Sequence, residues 1–437
     1  MKQYAEYKDS GIEWIGDIPL EWDRTKLKNL LSTPITDGPH ETPEIIDEGV
    51  PFISAEAVKN LKLDFNLKRG YISPAEHERF CQKCKPQFGD IFMVKSGATT
   101  GNIAMVDTYE EFSIWSPLAL IRSNAQIVVN HYLFYFLQSR VFRLQVELFW
   151  SYGTQQNIGM GVLGNLFVSY PDMTSQQAIA SYLARKTSAI DTLIADKQKL
   201  INLLKEKRQA IISEAVTKGL DNTAKMKDSG IEWIGDIPEG WEVKKLKYLG
   251  EAIIGLTYSP EDIVDQDDKG TLVLRSSNIQ DGKMAYNDNV YVNKEIPEKL
   301  MVKSGDILIC SRNGSRDLIG KNALLGISET GCTFGAFMTV YRSTYNSYLY
   351  YVFNSTLFKY LAGSFLTSTV NQLTTGNLNN MVVPLPPLEK REEIVSFLVN
   401  KTSAIDSLIT DITAQIEKLK EYRQSIISEA VTGKVAV

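Results

Sequence analysis

The chain has 437 residues, 43% hydrophobic and 23% charged, with a formal net charge of -5. That length can bury substantial cores and suggests roughly two to four domains, while the acidic balance, with a sequence pI of about 5.5, gives no global support to nucleic-acid binding, which ordinarily shows as a basic domain or stripe. No segment has the uninterrupted apolar length that a bilayer crossing needs, no basic-then-apolar leader opens the sequence, and four cysteines make no disulfide framework, so a cytoplasmic protein in a reducing compartment is expected.

Residues 8–19 read KDSGIEWIGDIP, and residues 227–238 repeat them letter for letter. The match continues through Trp22 with Trp241 and through KLK at 26–28 and 245–247. Apolar Ile12, Trp14, Ile15 and Ile18 set between turn residues read as a structural leader at the entrance of each half.

The first middle, from about residue 31 to 171, reads as a mixed α/β domain. VPFIS (50–54) is strand-like, and HYLFYFLQSRVFRLQ (131–145) is helix-like. Cys81 and Cys84 form a CxxC with His77 four residues upstream. A structural zinc site needs four ligands, the other cysteines (Cys310, Cys332) are more than two hundred residues away, and the second half has Pro297 and Leu300 at the corresponding positions. No metal is therefore expected, and the pair reads as packed or surface thiols. FGDIFMVKSGATTGNIAMV (88–106) reads as a turn, a buried strand, a Gly-rich polar loop and a second strand.

The second middle, about 250–386, shares only scattered anchors with the first. SGDILICSRNGSRDLIGKNALL (304–325) answers the segment just quoted, with Gly89-Asp90-Ile91 matching Gly305-Asp306-Ile307. TLVLRSS (271–277) reads as a strand. A PLPP stretch punctuates the exit, and EEIVSFL begins the helix that follows.

Each half ends in a tail. KTSAIDTLIADKQKLINLLKEKRQAIISEAVT (186–217) and KTSAIDSLITDITAQIEKLKEYRQSIISEAVT (401–432) are identical at 22 of 32 positions. Three- and four-residue steps pick out Ile190, Leu193, Leu200, Leu204 and Ile211 in the first, interrupted by Lys197 and Lys207, and Ile405, Leu408, Ile412, Leu419, Tyr422 and Ile426 in the second. Gly219 and Gly433 read as stops. Thirty-two residues of helix run about 48 Å. One such stripe cannot bury itself, so the two tails are expected to pair antiparallel rather than pack each on its own domain.

Catalytic signatures are missing. There is no GxxxxGK[ST], dinucleotide fingerprint, HExxH or GxSxG, and only His40, His77 and His131 are available for imidazole chemistry. The chain is expected not to be an enzyme on its own.

With its doubled leader, ITDGPHETP (35–43), GLTYSP (255–260), VLRSSNIQDG (273–282), two GDI strands, PLPPL exit and doubled KTSAID…IISEAVT tail, the sequence resembles the specificity subunit (HsdS) of type I restriction-modification systems over nearly its whole length. The resemblance implies an α/β (α+β) fold in which two mixed target-recognition domains are separated by two long conserved helices in an antiparallel coiled coil, with a pseudo-twofold internal repeat. The boundaries expected on this basis are a leader and first recognition domain over 1–184, a central spacer helix over 185–219, a second leader and recognition domain over 220–399 and a C-terminal spacer helix over 400–437. The resemblance further implies that each domain reads one half of a split, asymmetric site on double-stranded DNA. Two methyltransferase subunits would dock on the conserved regions, and motor/nuclease subunits would join them. S-adenosylmethionine, ATP and magnesium would belong to those partners, leaving none for this chain.

Two identical partners need two equivalent docking surfaces, which keeps leader and tail alike, whereas two half-sites need different base-edge contacts, which lets the middles diverge. Polar, Gly-containing loops beside strands are the natural DNA-contacting candidates. In the first domain these are Thr36, Asp37, His40, Lys95, Ser96, Thr99, Thr100, Gln155 and Gln156, and in the second Tyr258, Arg275, Ser276, Asn278, Arg312, Asn313, Arg316, Asn371 and Gln372. The same residue types also favour turns. The competing reading is a pseudo-dimeric coiled-coil scaffold for protein partners that reads no DNA.

Overall fold

Two long helices, α1 (Met173–Lys218) and α2 (Leu388–Val431), are the longest elements of the computed structural model, which describes residues 3–152, 155–266, 270–364 and 371–437. Both start earlier than the repeated tails, because good starting signals lie upstream. The Asp172 carboxylate accepts the Thr174 and Ser175 amides at 2.9 and 3.1 Å, and α2 follows directly on Pro386 and Pro387.

The chain divides into two compact units, one formed by Met1–Lys197 with Ala414–Val437 and the other by Gln198–Thr413. The boundaries therefore cut across both helices instead of falling at their ends, and the first unit is built from two separate stretches. Antiparallel pairing is the reason. In the first unit Asp191 of α1 receives Arg423 of α2 at 2.8 and 3.2 Å, and Lys197 reaches Gln415 at 2.6 Å. In the second unit Arg208 of α1 meets Asp406 of α2 at 2.9 Å, while Ile212 and Val216 share a core with Ile394 and Leu398.

The seam differs in part from the expected one. Thr402, Ile405, Ile409, Ile412, Ile416, Leu419, Arg423 and Ile426 are buried or half-buried at alternating three- and four-residue steps, as are Thr187, Ile190, Ile194, Lys197, Ile201, Leu204, Arg208 and Ile211. Leu193, Leu200, Leu408 and Tyr422 lie outside this stripe and are 44–51% exposed.

Each unit carries the same antiparallel four-stranded sheet. In the first its order is Ile103–Met105, Ile91–Val94, Leu118–Ile121, Thr36–Asp37, and in the second Asn322–Leu324, Ile307–Cys310, Met338–Arg342, Glu251–Ile254. The strands after the GDI turns read as continuous apolar runs because both faces are covered: Ile91 to Val94 and Ile307 to Cys310 are all buried, shared between two core clusters in each unit. The segment expected as one helix over 131–145 is two, Asn130–Gln138 and Arg140–Phe149, broken where the Ser139 side chain caps the second by accepting from the Phe142 amide at 3.2 Å.

The repeated leader forms a hairpin in each unit, Tyr7–Asp9 with Asp17–Pro19 and Met226–Asp228 with Asp236–Pro238. The hairpins deliver Ile18 with Trp22, and Ile237 with Trp241, into the cores. What closes over each leader is the end of a long helix. In the first unit Gly433, with φ +70°, lies so close to Pro19 that a Cβ there would meet its Cδ at 2.3 Å. In the second, Gly219 with φ +78° faces Trp241. The last carbonyls of these helices are satisfied in parallel ways: Tyr132 Oη donates toward Val431 O at 3.1 Å, and Tyr348 Oη toward Val216 O at 3.1 Å.

Among the described residues no helix is long and apolar enough to cross a membrane, and no group of three or more His, Cys, Asp or Glu is placed to hold a metal ion. Cys84 is buried, and Cys81 lies 3.5 Å from His77 Nε2.

Candidate nucleic-acid interface

In both units a polar loop leaves the buried GDI strand and is pinned by a second loop from just before the exit of the domain. In the first unit Gly97 N donates to Gln156 O at 3.1 Å, Ile158 N to Lys95 O at 2.8 Å, and Lys95 N to Pro117 O at 2.8 Å. In the second, Asn313 N donates to Asn371 O at 3.5 Å, Leu373 N to Ser311 O at 2.8 Å, and Ser311 N to Phe337 O at 3.0 Å. The two sets correspond bond for bond. Ser96 faces Asn157 across one isolated antiparallel bridge, and Arg312 faces Gln372 across the other.

The side chains mounted on this common backbone differ. In the first unit Asp37 is completely buried and is held by Lys83 Nζ at 2.5 Å, Lys95 Nζ at 2.9 Å and His40 Nε2 at 3.2 Å. Burial pushes its carboxyl up, but the two lysines outweigh that and hold it below the ordinary carboxylate range. His40 is exposed and its Nδ1 lies 3.2 Å from Ser116 Oγ. Thr36, Ser96 and Gln156 are half-buried, and Thr99 and Gln155 exposed. Thr100 is buried, donating to Gly97 O at 2.7 Å. The structure thus gathers all nine sequence-chosen residues of this unit around one cluster of loops.

In the second unit Tyr258, Arg275, Ser276 and Phe337 line a cleft of about 570 Å³. Arg275 is engaged by Asp288 at 2.8 Å. Asn278 is buried; its Oδ1 accepts the Arg275 amide at 2.9 Å and its Nδ2 donates to Ala285 O at 3.0 Å. Asn313 Nδ2 donates to Ser276 Oγ at 3.3 Å, Asn371 Nδ2 to Gly314 O at 3.1 Å, and Arg316 Nη2 to Gly363 O at 3.3 Å. Arg312 is exposed, with its guanidinium 5.2 Å from the centre of the exposed Phe337 ring.

Three of the candidates are therefore scaffold rather than surface. Asp37, Thr100 and Asn278 have their polar atoms committed inside the fold, as buried polar groups must, and they shape the loops from within. Sequence reasoning missed Lys83, Asn157 and Phe337. Lys83 sits in an unremarkable charged run, but Asn157 adjoins Gln156 in a polar stretch and carried the same signal as its neighbour.

Comparison with known proteins places the chain. Its length is matched at 27% identity over 441 residues, covering 97% of this chain and 96% of the relative, by a protein named putative type I restriction enzyme MjaX specificity subunit, from Methanocaldococcus jannaschii. The type I restriction enzyme EcoKI specificity subunit of Escherichia coli is 28% identical over 208 residues, covering 46% of this chain and 44% of that one. Among solved structures, a chain from work on complex assembly and conformational transition of the type I R-M system aligns with a TM-score of 0.71 at 16% identity, covering 96% of this chain and 99% of that one. The HsdS subunit from Thermoanaerobacter tengcongensis aligns at 0.50 and 17% identity, covering 96% and 98%. Residues 19–203 and again 238–418 match the type I restriction modification DNA specificity domain, so that the chain belongs to this family and carries its domain twice.

Proposed function

We propose that this protein is the address-reading subunit of a type I restriction-modification complex, recognising a bipartite, asymmetric site on double-stranded DNA with one domain per half-site. The observation that carries the reading is the pair of matching loop cradles, alike in backbone and different in side chains. A device that reads two unlike sequences in one chemistry needs that combination, since backbone geometry sets the approach and side chains at base edges set the sequence. The repeated hairpin leaders and helix ends are the natural docking surfaces for two copies of one methyltransferase subunit, and motor/nuclease subunits join through the same complex. S-adenosylmethionine, ATP and magnesium are assigned to those partners. The chain itself supplies recognition and no catalytic group. The acidic balance is compatible with this role when partners share the phosphate contacts.

Exchange of residues 31–170 for the corresponding stretch of another family member, expressed with the methyltransferase partner and followed by mapping of methylated adenines, tests the reading. One half of the mapped site is expected to change. A change in both halves, or in neither, overturns it. A mobility shift with and without the methyltransferase separates recognition from a scaffold that reads no DNA.

A further inference from the structure

We infer that each unit reads its half-site through the major groove with one cross-strand pair of side chains, Arg312 with Gln372 in the second unit and Ser96 with Asn157 in the first, so that the second half-site contains a guanine beside an adenine. The inference rests on the recognition function proposed above and specifies which residues perform it.

The bridges themselves are the starting point. In each, the flanking amide bonds run from the residue after one member to the residue before the other: Gly97 N to Gln156 O and Ile158 N to Lys95 O, then Asn313 N to Asn371 O and Leu373 N to Ser311 O. This is the pattern of a non-hydrogen-bonded antiparallel pair, in which opposed residues come closest and project their side chains to the same side. Each bridge is a single antiparallel rung, the unit from which a two-stranded ribbon, one of the two protein elements that the major groove admits, is built.

Polar commitments then separate readers from supports. Of the three arginines chosen from the sequence, Arg275 is tied to Asp288 and Arg316 to Gly363 O. Asn313 and Asn371 each donate within the protein. Among the described residues, the Arg312 guanidinium forms no hydrogen bond or ion pair and rests only on the Phe337 ring. That ring holds the fork near one orientation while leaving its five donors unused. Beside it, the Gln372 amide is likewise uncommitted among the described residues. An arginine fork matches guanine O6 and N7, and a glutamine amide matches adenine N6 and N7. In the first unit the same two stations hold Ser96 and Asn157, which match adenine through the asparagine and leave the serine permissive. The two half-sites would then differ because one bridge carries a charged fork and the other does not.

The test uses the complex with its methyltransferase subunits and a library of duplexes randomised in both half-sites, with methylation read by sequencing. Arg312→Ala is expected to lose the preference for guanine at one position of the second half-site by about tenfold or more, and Gln372→Glu to move the adjacent preference from adenine to cytosine. The first half-site stays unchanged in both. Ser96→Arg with Asn157→Gln is expected to create a guanine preference in the first half-site. Unaltered preferences in all three variants overturn the inference, as does a loss of methylation with Arg312→Ala that is uniform across sequences, since that marks a phosphate contact. Exchange of residues 250–386 in the same assay keeps the two levels apart. If the exchange changes the second half-site while the point variants do not, the paired readers are wrong and the recognition function stands; if the exchange changes nothing, the recognition function fails too.

Discussion

Arg122 grips Asp90 through two parallel bonds, Nε to Oδ1 at 2.7 Å and Nη2 to Oδ2 at 2.8 Å, and Arg342 grips Asp306 in the same way at 2.9 and 2.7 Å. Both carboxylates are 2% exposed. Each also accepts the amide three residues upstream, Gln87 or Lys303, and the arginines donate further to main-chain carbonyls, Arg122 to Lys85 O and Arg342 to Met301 O and Lys299 O. The GDI turn at the root of each polar loop is therefore fixed by a hydrogen-bonded ion pair. Removing one partner strands a buried charge, so Arg122→Ala is expected to lower stability by about 3–5 kcal/mol, measured by urea unfolding. A loss within about 0.5 kcal/mol, the level of an ordinary surface change, would show the clamp to be incidental.

The identity of the helix seam is checked by a pair of substitutions three residues apart. Ile405 is buried and Leu408 is half exposed, although both follow the apolar pattern. Ile405→Ala is expected to cost about 2–5 kcal/mol, and Leu408→Ala about 0.5 kcal/mol or less. Comparable losses at both positions would return Leu408 to the interface.

Asp37 gives the first unit a defined acid response. Its folded carboxyl lies below the ordinary value of 3.8, held there by Lys83 and Lys95 against the upward push of burial. The stabilisation is thus complete above that ordinary value and disappears as pH falls through the lower folded one. Asp37→Asn is expected to be less stable than the parent at neutral pH, with the gap closing below about pH 4. A gap that stays constant in acid would remove the lysines from the account.

Burial pushes the Cys84 thiol up to about 12. At neutral pH almost none of it is thiolate, the nucleophilic form. Iodoacetamide should therefore leave Cys84 unmodified in the native protein and label it on unfolding, as judged by mass spectrometry; rapid native labelling would contradict its placement.

Spacing supplies another expectation. If α1 and α2 set the gap between half-sites, seven residues added in register to each, one heptad of the seam, lengthen the gap in the mapped methylation site. An unchanged gap would sink that role.

Much of this was legible in the sequence where the signal is local and written twice. The GDI anchors, the strands that follow and the polar loops after them could be read because turn residues and apolar runs sit side by side. Arg122 and Arg342 could not, since each lies 32 or 36 residues from its aspartate and nothing local marks it. The seam was only half legible. Leucines at Leu193 and Leu408 satisfy a three-or-four step as well as their buried neighbours do, and only the partner helix decides which stripe is covered. Burial was the other blind spot: Asp37, Thr100 and Asn278 have the composition of contact residues, and the structure uses them to brace polar loops from within.

The closure of the first leader by the end of α2 has a consequence for synthesis. Ile426, Ile427, Ala430 and Val431 belong to the same core as Ile18 and Trp22, so the unit that emerges earlier from the ribosome lacks a wall until residues beyond 413 have been joined. The second unit is one uninterrupted stretch, Gln198–Thr413, and has no such wait. The later-made unit is the one able to finish first, and a chain interrupted before residue 414 would leave the earlier one open.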